Sequence, residues 1–177
     1  MRLAALFFAL AALSLSQART PHVTPHIGAA QAAYEEGKAA RLAKQFQRAA
    51  ECFRKAIEIE PTFLDAHEAL IADYLDSGRR LDAAASITQF LEIQPDVVHY
   101  RVLLGQILLE QKQAERALAQ FSLALKRDPY NADGLLGFAT AARAMGMRDR
   151  AAEAIERGRK RYPLDERFKT VPGNGHQ

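Results

Sequence analysis

The side chains able to do chemistry are few in this chain, and their spacing brings none of them together. His22 and His26 stand four apart, the interval that puts two imidazoles on one helical face where they could share a metal ion. Pro21 and Pro25 interrupt a helix between them, so the pair is not read as a metal site. Glu35 and Glu36 are adjacent, point to different sides of a helix and cannot work as an acid–base pair. His67 and His99 each stand alone on apolar-periodic stretches and read as packing or surface residues. Cys52 is the only cysteine, which rules out an internal disulfide, and it is expected to tuck against a neighbouring helix. There is no phosphate-cradling glycine loop, no zinc-type pair of cysteines and no nucleophile elbow. No catalytic residue, cofactor or metal is expected, and the chain reads as a non-enzyme.

The elements that carry these residues are helices. Apolar residues make up 49% of 177 positions, enough for a folded domain with its own core. Lys and Arg number 24 against 21 Asp and Glu, an excess too small to predict a nucleic-acid partner. The N-terminus has a separate role. Arg2 is the only charge before an apolar run from Leu3 to Leu15, and Ser16-Gln17-Ala18 offers small residues at the positions a signal peptidase reads. Residues 1–18 are expected to be a signal peptide cleaved after Ala18. The run is shorter than the ~20 apolar residues of a spanning helix, so membrane contact is expected only through this segment before cleavage. The mature chain is placed in the periplasm or outside the cell. Residues 19–29 read as a flexible linker.

Beyond the linker a period is visible. Pro61, Pro95, Pro129 and Pro163 recur every 34 residues. Twelve residues before each lies an alanine: Ala49, Ala83, Ala117 and Ala151. Eight before each lies a bulky apolar residue: Phe53, Ile87, Phe121 and Ile155. These offsets keep to one helical face, and the proline stops the helix and aims the next one. An earlier helix in each unit contains Gly37, Ile71, Gly105 and Ala139 at one shared position. Turns fall at Ser77-Gly78, Gln111-Lys112-Gln113 and Met145-Gly146.

A 34-residue unit with small residues at packing positions, a bulky one between them and a closing proline resembles the tetratricopeptide repeat (TPR). The resemblance covers residues 30–163 as four units, 30–63, 64–97, 98–131 and 132–163, with 164–177 as a short cap and disordered tail. It departs from the family pattern in having no tryptophan and in replacing the first-helix glycine by Ile71 and Ala139. The fold it implies is all-α: a right-handed α-α superhelical solenoid with a concave surface lined by the first helices. It also implies a function, which is to bind a peptide segment or helix of another protein in that groove.

By position, the groove candidates are Tyr34, Lys38 and Arg41 in the first unit, and Glu68 and Leu75 in the second. Val102, Gln106 and Leu109 follow in the third, and Leu136, Thr140 and Arg143 in the fourth. Chaperone-binding members of the family grip a terminal carboxylate with Lys and Asn at such places. Only Lys38 fits that set, so this subtype is rejected. Leu75, Val102, Leu109 and Leu136 are expected to form an apolar strip suited to an extended segment or amphipathic helix. Charge is uneven. Seven acids face two arginines between Leu64 and Val97, and seven bases face three acids between Arg143 and Arg161. The short C-terminal cap predicts an end that is partly exposed and able to self-associate. The expected function is a non-catalytic adaptor or scaffold in the cell envelope, its partner another protein. The alternative is an accessory subunit that positions an envelope or cell-wall-processing enzyme complex.

Overall fold

The structure is a computed structural model that describes residues 25–169. The expected signal peptide and the tail beyond Lys169 lie outside the described residues. Those described form nine helices: α1 (Pro25–Leu42), α2 (Phe46–Ile59), α3 (Leu64–Asp76), α4 (Arg80–Ile93), α5 (Val98–Glu110), α6 (Ala114–Arg127), α7 (Ala132–Ala144), α8 (Arg148–Arg161) and α9 (Glu166–Lys169). None of these helices is long and apolar enough to cross a membrane. Part of the stretch read as linker is helical, since α1 opens at Pro25. Proline suits a first helical turn, where the amide has no partner and the fixed φ is already helical. His26 therefore rides on α1.

Each helix packs on the next in sequence, α1 on α2 through to α8 on α9, so the chain stacks as consecutive hairpins. The turn inside each hairpin is the same device four times. Lys44, Gly78, Lys112 and Gly146 adopt left-handed backbone, with φ of 58°, 73°, 59° and 75°. The following amides reach back to close the first helix: Gln45 N–H to Ala40 O, Arg79 to Tyr74, Gln113 to Leu108 and Met147 to Ala142, at 2.7–2.9 Å. This is the Schellman closure, and its left-handed residue is best filled by glycine. Between hairpins one helix start stands out. The Asn131 side chain accepts the Gly134 amide at 2.9 Å, while α2 to α6 and α8 have no side-chain cap.

The recurrent alanines form the floor of the stack: Ala49, Ala83, Ala117 and Ala151 are at most 1% exposed. Above them the repeats solve one volume problem in two ways. Phe53 lies against Gly37 and Phe121 against Gly105, so closely that a Cβ on either glycine would come within 2.6–2.7 Å of a ring carbon. In the second and fourth units the aromatic is replaced by Ile87 and Ile155, and the opposing glycine by Ile71 and Ala139. The missing glycines are thus matched by smaller partners across the helix pair. Phe121 is pinched from both sides, because Gly137 of the next unit meets the same ring. At the C-terminus α9 starts in register with α3, α5 and α7, each 34 residues after the last. Its Phe168 is fully buried, over Gly158 and stacked on Tyr162 at 6.0 Å between ring centroids. Leu164, 88% exposed, is the large apolar side chain left open beside it.

Candidate functional site

Helix contacts identify the inner surface. First helices touch one another directly, α1 with α3 and α5 with α7, whereas no two second helices share a comparable contact. In a curved stack the more closely spaced layer lies inside the bend, so α1, α3, α5 and α7 line the concave side. On that layer Lys38, Glu68, Gln106, Thr140 and Arg143 are exposed, while Tyr34, Arg41, Leu75, Leu109 and Leu136 are half-buried.

The expected apolar strip is reduced. Val102 is 7% exposed and lies in the core, and Leu75, Leu109 and Leu136 pack their sides against that core. The cause is the composition of α5, VHYRVLLGQILLE, which is apolar around much of its circumference. A helix of that kind is covered on more than one side, and an aliphatic side chain gains more between helices than facing water. Thr140 donates its hydroxyl to the Leu136 carbonyl at 2.9 Å, which leaves that end of the groove polar and locally satisfied.

Apolar surface gathers instead at the first two hairpins. A cleft of about 570 Å³ is lined by Tyr34, Lys38, Arg41, Leu42, Lys44, Phe46, Phe53, Ala69 and Asp76. Tyr34 is fixed by ring contacts to Phe53 at 5.8 Å and Phe63 at 5.1 Å. Lys38 Nζ sits 5.2 Å from the Tyr34 ring centroid and pairs with Glu35 at 2.9 Å. Hydrogen bonding and attraction to Lys38 hold the Glu35 carboxyl below its ordinary range and raise the lysine in turn. Arg41 pairs with Asp76 across the gap between α1 and α3. Among the described residues Lys44 Nζ has no ion-pair or hydrogen-bond partner. Leu42, at the rim, is 87% exposed. Leu42, Lys44, Phe46 and Asp76 were not among the sequence candidates. The first three form the hairpin turn and the helix ends beside it, which become a wall only when α3 packs alongside. The signal available was the register that aligns Lys44 with Gly78 and Gly146.

Elsewhere the titratable groups serve packing. His67 Nε2 lies 2.9 Å from the Pro61 carbonyl oxygen, and its ring meets Phe90 edge-on at 6.2 Å. Cys52 is half-buried on α2, and burial, followed by the nearby Glu36 charge, pushes its thiol up. A raised thiol is a poor nucleophile at neutral pH. Asp73 on α3 is 1% exposed, and neither carboxylate oxygen has a hydrogen-bond partner.

Tetratricopeptide-repeat sequence models match residues 30–63, 69–132 and 108–171. No curated protein matches the sequence. Among solved structures the fold is similar to that of a MamA protein, with a TM-score of 0.69 at 21% identity over 79% of this chain and 76% of that one. It is also similar to YrrB, described as a TPR protein with an unusual peptide-binding site, at a TM-score of 0.65 and 20% identity over 80% of this chain and 73% of the other. A MamA from Desulfovibrio magneticus RS-1 gives a TM-score of 0.66 at 14% identity over 78% of each chain. At such identities the likeness is one of fold.

Proposed function

We propose, from the premise that the chain belongs to the tetratricopeptide-repeat family, that it is a non-catalytic interaction module holding a peptide segment or helix of another protein against its inner helices. The observation that carries this is the cleft at the inner layer: α1 and α3, with the start of α2, line an aromatic-walled cleft large enough for one or two side chains, and polar residues continue along α5 and α7. YrrB, similar in fold, is described as having a peptide-binding site, which agrees with the reading. The chain acts in the cell envelope after export, a reading supported by Arg2, the run Leu3–Leu15 and the small residues before Arg19.

Site-specific photo-crosslinking in the producing cell tests the binding surface. A photoreactive residue at Gln106, on the inner layer, is expected to trap the partner, and one at Leu123, on the outer helix α6, is expected not to. Crosslinks from Leu123 alone would remove the groove from the account. The export step is read independently. Mass spectrometry of the envelope fraction is expected to find a chain beginning at Arg19, and an intact N-terminus confined to the cytoplasm would refute export.

A further inference from the structure

The cleft between the first two hairpins selects by charge. Its lining carries three cations, Lys38, Arg41 and Lys44, against one carboxylate, Asp76. Lys38 and Arg41 are held by exposed ion pairs with Glu35 and Asp76. Such pairs are weak and exchange readily for an incoming carboxylate. Lys44 has no such partner among the described residues. Around the cations stand Tyr34, Phe46, Leu42 and Ala69, which would receive a bulky apolar side chain.

The backbone at Lys44 points the same way. Its position in the hairpin turn is left-handed in all four repeats, and two of them place glycine there. A lysine is disfavoured in that conformation, so an amino acid with a worse backbone fit occupies the one turn whose side chain lines the cleft. Lys112 repeats the strain in the third hairpin without lining the cleft.

We propose that this cleft binds an acidic segment of a partner protein that carries a large apolar residue beside its carboxylates, with Lys44, Lys38 and Arg41 meeting the acid and Tyr34 and Phe46 holding the apolar side chain. The inference rests on the groove reading above and specifies the partner's chemistry.

The test is fluorescence anisotropy of the purified chain with three labelled peptides built on one Phe-Leu core, flanked by Asp and Glu, by Asn and Gln, or by Lys and Arg. The acidic peptide is expected to bind, and to bind more weakly as salt is raised. Lys44→Gly is expected to weaken it by about fivefold or more while raising the unfolding temperature, two effects that a purely structural residue would not combine. Lys112→Gly should raise the unfolding temperature alone, and Lys38→Glu should abolish acidic binding with the fold intact by circular dichroism. Equal binding of all three peptides, or acidic binding unmoved by both Lys44→Gly and Lys38→Glu, overturns the charge selection. If a non-acidic peptide binds and crosslinks at Gln106, the groove reading survives and this inference fails. If no peptide reaches the inner layer, both fail. A dimer in sedimentation that Lys44→Gly dissociates would make the occupant a second copy, and would equally overturn it.

Discussion

At the residue scale, two contacts set expectations that can be measured. Gly105 has no room for a methyl group beneath Phe121, and Phe121 cannot retreat because Gly137 holds its other side. Gly105→Ala is therefore expected to destabilise the fold by about 1–3 kcal/mol in urea unfolding. Combining it with Phe121→Ile imports the pairing of Ala139 with Ile155 and should recover part of that loss, a non-additive result expected of residues in contact. Asp73 makes the second prediction. Burial lifts its carboxyl above the ordinary value, outweighing attraction from Arg41 on α1 and from Arg79 in the following turn, while Asp76 adds repulsion. A carboxyl lifted by folding stabilises while protonated, and that contribution is lost as pH climbs through the folded value. Asp73→Asn should thus be more stable than the parent at neutral pH by about 1–2 kcal/mol, the two converging as pH falls into the acid range. A difference that widens towards acid pH would contradict the placement. The glycines and the bulky apolar residues stood at fixed offsets in the sequence, while their pairing across the helices came from the packed structure. The orphan carboxylate was not visible in the sequence, because an Asp on a helix reads as solvent-facing until the preceding hairpin covers it.

At the scale of elements, the hairpin turn is the unit to test. Lys112→Gly removes a side chain from left-handed backbone and keeps the closure from Gln113 to Leu108, so it should stabilise by about 1 kcal/mol, or roughly 2–4 °C in melting temperature. A fall in melting temperature would mean that Lys112 makes contacts worth more than its strain. Helices and turns were the most legible part of the chain, since proline, alanine and the bulky apolar residue recur at fixed offsets that sequence displays directly. Faces were less legible. In α5 the apolar residues run nearly all round, and periodicity cannot tell a groove position from an interhelical one. That is why Val102 lies in the core.

At the scale of the whole molecule, stability passes from neighbour to neighbour, so the ends govern how the stack opens. Phe168 is the one fully buried side chain of α9, and it covers the last hairpin at Gly158 and Tyr162. Phe168→Ala is expected to raise amide exchange in α8 and α7 well before α1 to α4 respond, read residue by residue. Uniform loss of protection along the chain would show a single cooperative block instead. The long-range joins that fasten one hairpin to another, such as Arg80 to Glu110 at 2.6 Å and Arg167 to Asp133 at 2.6 Å, link residues some thirty positions apart and leave no trace in a local pattern. The cleft was hidden for the same reason, its walls coming from a turn and from α1, α2 and α3, which belong to two different units.

The phase of α9 leads further. Glu166 falls where the opening residue of another hairpin would stand, and Phe168 holds the register position that Ala66, Tyr100 and Gly134 hold in theirs. The repeat phase therefore carries through α9 without a break. A synthetic thirty-odd-residue module spliced on after Lys169 would find its docking geometry laid out for it, so the molecule's reach can be lengthened by modular grafting without redesigning a single existing joint.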